Sequence, residues 1–201
     1  MRKRVYISAD YSPSDGDRDV IEVLHTWGND NLHKVDYVDT AEVISGSVSK
    51  DPDCRPCDLK KEFNRQINAS SSVIFVIGDK TATRTAGSRC ERTQKSPLEC
   101  ACTPYKQNVN GQKTCKVYLT LPTADNIPFI NTFSYLQHEF EQAKKSGKNI
   151  IIVYNSLIKR SSWLPAYMNE YESMAEPFWI TDSMDKRSGN YSFLKKALGY
   201  E

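Results

Sequence analysis

Apolar runs alternate along this chain with segments of helical periodicity, a pattern that predicts strands connected by helices. Four runs rich in β-branched and aromatic residues are typical of strands and occupy residues 5–9, 35–38, 72–77 and 150–154. The last of these is continuously apolar, as expected of a parallel strand that is covered on both faces. The alternation therefore favours a parallel sheet with helices on its two sides.

Three helices are predicted between these runs. The first opens at Asp15 or Asp17, the second is capped by Asp58, and the third follows the capping-box pair Ser134 and Gln137. Their apolar faces are Val20, Ile21, Leu24 and Trp27 in the first helix, Leu59, Phe63 and Ile67 in the second, and Leu136, Phe140 and Ala143 in the third.

The third helix carries Glu139, the leading candidate for a functional acidic residue. Glu139 lies on the flank of the apolar face, and Tyr135 is one turn earlier on the same side, so the two side chains can meet. Glu141 points away from the core. Gly147 ends the helix. We expect Glu139 to line a cleft and to be ionised, because the positive end of the helix dipole favours its charge.

The element order predicts an α/β fold, a flavodoxin-like three-layer sandwich with about five parallel strands, whose ligands bind at the carboxyl ends of the strands. We predict one domain, 1–201. A polar loop at 40–57, a turn at 163–165, a last strand at 177–181 and a helix at 191–198 complete it. Residues 80–131 are predicted to be an insertion with its own small structure, including a strand at 117–121, because a structureless loop of that length is uncommon.

Composition excludes several classes of protein. Charged residues are 26% of the chain but the net charge is only +2, which indicates neither a nucleic-acid-binding nor a membrane protein. No apolar run approaches the ~20 residues of a membrane span, and no signal-like apolar stretch precedes Asp10. We therefore expect a soluble, cytoplasmic protein with reduced cysteines.

Charge within the insertion is uneven. Residues 80–116 contain eight lysines and arginines against Glu91 and Glu99. A basic flap over the strand ends would attract a dinucleotide diphosphate. Nucleic acid is a poorer explanation because stacking aromatics are not interleaved with the basic residues.

The cysteines leave three possibilities open. Cys54 and Cys57 have C-x-x-C spacing before a helix, and Cys100 and Cys102 form a close pair in the insertion. Together these four could hold a structural zinc ion. Ordinary reduced thiols are the simpler explanation, since two well-spaced C-x-x-C pairs are not present, and a redox function of Cys54 and Cys57 is the third.

The order of landmarks resembles the TIR-like domains of the ThsB type, from bacterial Thoeris anti-phage defence. The similar segments are residues 4–8 followed by Tyr11, residues 59–78, the Tyr135-x-x-x-Glu139 helix and residues 147–151. The resemblance covers 2–80 and 132–155, about half of the chain. The family usually has Trp where this chain has Tyr135, and it lacks the insertion.

This resemblance implies an NAD nucleosidase or ADP-ribosyl cyclase that cleaves the nicotinamide–ribose bond, with NAD as substrate and no tightly bound cofactor. The product would be a diffusible signal that activates a separate effector protein during phage infection. Glu139 would be the catalytic residue. The expected NAD-binding residues are Ser8, Asp10, Tyr11, Tyr135 and His138.

Two other functions stay open at this point. A non-catalytic TIR-like adaptor would act by homotypic association, as a homo-oligomer, through the 40–57 loop and the insertion. A flavodoxin-like nucleotide-binding domain without turnover is also conceivable, although the sequence contains no glycine-rich phosphate loop of either common type.

Overall fold

The fold is centred on a five-stranded, all-parallel sheet. The computed structural model describes residues 3–10, 16–29, 35–39, 55–85, 105–107, 113–115 and 134–200. The sheet strands are β1 (Lys3–Ser8), β2 (Val35–Asp39), β3 (Ser72–Ile77), β6 (Asn149–Tyr154) and β7 (Glu176–Pro177), in the order β2-β1-β3-β6-β7. This is the flavodoxin-like strand order, so the predicted fold class is confirmed.

Helices cover both faces of this sheet. The helices α1 (Asp17–Asn29) and α4 (Tyr191–Ala197) pack on one face, and α2 (Arg55–Ala69) and α3 (Tyr135–Lys145) pack on the other. The β3 and β6 strands are buried on both faces, which explains their nearly unbroken apolar sequences. Neighbouring residues of β1 therefore pack into different apolar cores. Val5 and Ile7 face α1, whereas Tyr6 faces α2 and α3.

The boundaries of two predicted elements were wrong. Helix α2 begins at Arg55 rather than at Asp58, so its first turn takes up the end of the predicted polar loop. The predicted last strand, 177–181, is two strands: β7 belongs to the parallel sheet, whereas β8 (Trp179–Thr181) pairs antiparallel with β9 (Arg187–Gly189). The chain leaves the sheet at Phe178, whose buried ring packs against Trp27 of α1 at 5.7 Å between ring centroids.

The first strand and the last helix are tied together at the amino end of the sheet. The Lys3 ammonium group donates to the carbonyl oxygens of Leu198 and Gly199, the latter at 3.3 Å. It also lies 4.4 Å from the centre of the Tyr200 ring. Asn149 of β6 donates to the carbonyl of Ala197 at 2.8 Å. These contacts satisfy carbonyl groups at the carboxyl end of α4 and place a positive charge at the negative end of its dipole.

Little of the predicted insertion lies within the described residues. Residues 81–83 form a 3-10 turn, and β4 (Tyr105–Gln107) pairs antiparallel with β5 (Lys113–Cys115). The predicted strand at 117–121 lies outside the described residues. In the described part of the chain, no helix is long and apolar enough to cross a membrane.

Gly189 should not tolerate a side chain, because β9 runs directly against Trp27. A methyl group added at Gly189 would lie 2.8 Å from two carbons of the indole ring and 3.2 Å from the ring of Phe178. We expect Gly189→Ala to lower the free energy of unfolding by about 1–3 kcal/mol, as overpacking usually does. Urea unfolding of Gly189→Ala and of the neighbouring control Ser188→Ala tests this. Equal midpoints for the two variants would contradict it.

Candidate functional site

The carboxyl end of β1 holds the carboxyl group of Glu139 through two hydroxyl groups. The phenol of Tyr6 donates to Glu139 Oε1 at 2.7 Å, and the hydroxyl of Ser8 donates to Oε2. Tyr6 and Ser8 are two residues apart on a strand, so their side chains point to the same face, which is the face that α3 covers. The predicted residues Ser8 and Glu139 are thus brought together, and Tyr6 joins them although it was not predicted.

This carboxyl group is buried rather than exposed at the flank of the helix. Glu139 retains 2% of its accessible surface. Burial raises the pKa of its carboxyl group to about 8; the hydroxyls of Ser8 and Tyr6 oppose that rise and the charge of Asp10 adds to it. At pH 7 only about one such group in ten is ionised. The expectation that the helix dipole keeps Glu139 ionised is therefore wrong, because desolvation outweighs the dipole.

His138, which the resemblance suggested as an NAD-binding residue, is buried in the seam between α2 and α3. Its Nε2 lies 2.8 Å from Oδ1 of Asn64, and its ring also makes a hydrogen bond with the backbone of Lys60. Burial lowers the pKa of the imidazole to about 3, assisted by the positive charge of Lys60. A histidine that stays neutral over the physiological range is a poor proton carrier, and here it connects the two helices.

The other predicted binding residues have different placements. The ring of Tyr135 packs at right angles to Phe63 of α2, with 5.7 Å between the centroids, so it contributes to the helix seam. Asp10 follows β1 and is close enough to Glu139 for its charge to raise the pKa of that carboxyl group. Tyr11 lies outside the described residues.

Ser134 caps α3, and the hydroxyl group of Tyr167 lies near the hydroxyl group of this cap residue. The Ser134 hydroxyl accepts a hydrogen bond from the backbone N–H of Gln137 at 2.9 Å, as predicted, but the Gln137 side chain donates to Glu141 instead of completing the capping box. The Tyr167 hydroxyl lies 3.4 Å from the Ser134 hydroxyl. Burial raises the pKa of Tyr167, and the charges of Asp10 and Glu139 contribute. Sequence reasoning missed Tyr167 because it lies in a 3-10 helix, residues 166–174, that no periodicity indicated.

Arg84 brings a positive charge to the end of β1. It follows the 3-10 turn after β3, and its Nη1 donates to the carbonyl oxygen of Asp10 at 3.1 Å. This bond joins the segments that follow β1 and β3, the neighbouring strands from which the chain proceeds to β2 on one side and to β6 on the other. In open α/β sheets, ligands usually bind outside the carboxyl ends of such a pair of strands.

A second buried polar contact at this edge has a structural role. Asn155, which follows β6, donates to Asp17 at the start of α1 at 2.7 Å. Gly78, which follows β3, leaves room for the pair, since a methyl group there would lie 2.9 Å from the Asn155 amide nitrogen. The contact fixes the start of α1 against the ends of two strands.

The proposed zinc ligands cannot be placed. Cys54, Cys100 and Cys102 lie outside the described residues, and for Cys57 only the backbone is described. Within the described ranges no three His, Cys, Asp or Glu side chains are grouped so that they could hold a metal ion. The zinc site stays a prediction.

Comparisons with protein-family models, with curated proteins and with solved structures find no match to this chain.

Proposed function

We propose that the carboxyl edge of this sheet cleaves the bond between nicotinamide and ribose in NAD, with Glu139 as the catalytic residue. The observation that carries the proposal is the contact of one carboxyl group with two hydroxyl groups, those of Tyr6 and Ser8, at the carboxyl end of β1, the strand next to β3. A buried acid with a strongly shifted pKa is more common at functional sites than elsewhere. The product is a signal derived from ADP-ribose that acts on a separate effector in the cytoplasm.

The reaction needs one carboxylate rather than two. The C1′–N bond breaks, its electron pair leaves with nicotinamide, and the leaving group departs neutral without a proton donor. Ordinary glycosides differ, because a second carboxyl group must protonate their leaving oxygen. A negative carboxylate stabilises the positive charge that develops on the ribose. Water then attacks C1′ and releases a proton to solvent, which gives ADP-ribose; attack by an internal hydroxyl group would give a cyclic product.

The contacts of Glu139 suggest how ribose is held. Tyr6 and Ser8 donate hydrogen bonds to the carboxyl oxygens, and the ribose 2′- and 3′-hydroxyls could donate to the same oxygens. Because Glu139 retains only 2% of its accessible surface, the substrate must displace a neighbouring group to reach it. The Ser8 hydroxyl, on a short side chain at the end of β1, is the group that ribose would replace.

The direct test is incubation of the full chain with NAD and chromatographic measurement of free nicotinamide. We expect release that depends on protein concentration. Since an enzyme of this kind can require a trigger, the assay is repeated with lysate of phage-infected cells. Absence of release above a lysate control in both conditions would overturn the proposal.

The rate should increase with pH through the neutral range. The pKa of Glu139 is raised to about 8, so the fraction of the required carboxylate grows about tenfold per pH unit below that value and then levels off. We expect kcat/KM for NAD to follow this curve between pH 6 and 9. Initial rates of nicotinamide release provide the measurement. A flat profile over this range would show that ionisation of Glu139 does not limit the reaction.

The burial of Glu139 also favours the non-catalytic alternative. In an adaptor that acts by homotypic association, the contacts with Tyr6 and Ser8 would serve only to fix α3 on β1. The surfaces expected to associate, the 40–57 loop and the insertion, lie mostly outside the described residues. Light scattering over a range of concentrations, combined with the nicotinamide assay, separates the two functions. An adaptor would self-associate and release no nicotinamide.

A further inference from the structure

The segments that follow β1 and β3 carry groups of opposite charge, and these groups approach one another at the end of β1. Glu139 and Asp10 are acidic and near one another, since the charge of Asp10 affects the carboxyl group of Glu139. The turn after β3 carries Lys80, which is exposed, and Arg84, which is half-buried. These two are the cations among described residues 78–85, the stretch that follows β3 and contains the start of the predicted insertion.

Arg84 is the better placed of the two cations. Its hydrogen bond to the Asp10 carbonyl, at 3.1 Å, holds the guanidinium group against the end of β1, two residues beyond Ser8. Ser8 in turn contacts Glu139. The arginine and the catalytic carboxyl group are therefore both anchored to the last residues of one strand. The backbone contact restricts the arginine before any ligand arrives, which lowers the entropy lost on binding.

NAD has a matching separation of charge. Its nicotinamide ring is positive, and the diphosphate on the other side of the same ribose carries two negative charges. A carboxylate stabilises the first and a guanidinium group pairs with the second, since its planar N–H groups match two phosphate oxygens. The carboxylate of Glu139 would repel a diphosphate, so the favoured orientation places the ribose at Glu139 and the diphosphate at Arg84.

We propose that Arg84 binds the diphosphate of the dinucleotide and thereby determines that NAD, rather than a nicotinamide nucleoside without phosphate, is the preferred substrate. This inference rests on the proposed function and extends it by naming the residue that recognises the anionic part of the substrate. The ribose next to nicotinamide is then positioned from both sides, by Glu139 at its hydroxyls and by Arg84 through its 5′-phosphate.

The test compares a substrate that carries the diphosphate with one that lacks it. NAD and nicotinamide riboside are offered to the wild type, to Arg84→Gln and to Arg84→Lys, and nicotinamide release is measured. We expect Arg84→Gln to raise KM for NAD about 10- to 100-fold, the usual effect of losing a charged hydrogen bond, and to change nicotinamide riboside turnover less than about twofold. Arg84→Lys should recover part of the loss, because it keeps the charge but not the fork. Arg160→Gln is the control, since Arg160 lies over the ring of Trp163 instead.

Calorimetric titration with ADP-ribose separates this inference from the proposed function. One possible result is that the wild type binds ADP-ribose, that Arg84→Gln weakens this binding, and that neither protein releases nicotinamide. That result would support the diphosphate site and overturn the proposed cleavage activity. If the wild type cleaves NAD and Arg84→Gln behaves like Arg160→Gln, the assignment of Arg84 is wrong and the activity stands. If the wild type neither binds ADP-ribose nor releases nicotinamide, both are overturned.

Discussion

Replacing Glu139 by glutamine is expected to lower nicotinamide release from NAD by about 100- to 1,000-fold, the usual effect of removing one group that stabilises charge in a transition state. Glutamine has nearly the same shape as glutamate, and its amide oxygen can still accept a hydrogen bond from Tyr6 or Ser8. It cannot become negative, so the positive charge on the ribose loses its counterpart. The loss should appear mainly in kcat.

Glu141→Gln is the matched control for this experiment. Glu141 lies on the same helix two residues later, is exposed, and undergoes the same chemical replacement. Circular dichroism of both variants establishes that α3 and the sheet are intact. If Glu139→Gln keeps more than about a third of the wild-type rate, Glu139 is not the catalytic group, since that change is worth less than 1 kcal/mol.

The same substitution should change how stability depends on pH. The pKa of Glu139 is about 8 in the folded protein and near the ordinary value of 4.5 when unfolded. Between these values the folded state binds more protons, so unfolding releases a proton and the free energy of unfolding falls as pH rises. The slope is roughly 1.4 kcal/mol per pH unit, or about 3 kcal/mol between pH 5 and 7. Glutamine does not titrate, so the Glu139→Gln variant does not lose this part of the free energy of unfolding as the pH rises.

Urea unfolding of the wild type and Glu139→Gln at pH 5, 6 and 7 measures this difference. We expect the wild type to lose stability relative to the variant with each step, while the difference between wild type and Glu141→Gln stays nearly constant. This result does not depend on any catalytic activity. A constant difference between wild type and Glu139→Gln would mean that the buried carboxyl group does not retain its proton in this range.

The sheet could be predicted because its strands carry their signal locally. Residues 72–77 were predicted as a strand with the observed bounds, since both faces are covered and every position is buried. The prediction of a single strand at 177–181 was wrong, because an apolar run does not show which sheet each of its residues joins. Pro177 ends the parallel pairing, and Phe178 turns into the core beside α1.

The candidate site was only partly predictable, for a related reason. Helical periodicity located Glu139 and its flank, but its burial depends on Tyr6 and Ser8, which are 133 and 131 residues earlier in the chain. Contacts at such separations leave no periodic signal. Arg84 belongs to the basic segment 80–116 that was expected to attract a diphosphate, but its contact with Asp10 was not predicted. Tyr167 was missed, and each of the two residues lies in a segment with no helical or strand pattern of its own.

The link between Lys3 and the carbonyl groups of Leu198 and Gly199 has a consequence for synthesis on the ribosome. One half of the apolar core, around Val5 and Ile151, is completed by Leu194 and Leu198. Both residues follow all five strands of the parallel sheet in the chain, so a nascent chain can hold the whole sheet while one of its faces is incompletely covered. Such an intermediate exposes apolar surface and is prone to aggregation, which makes the formation of α4 the step that closes this core.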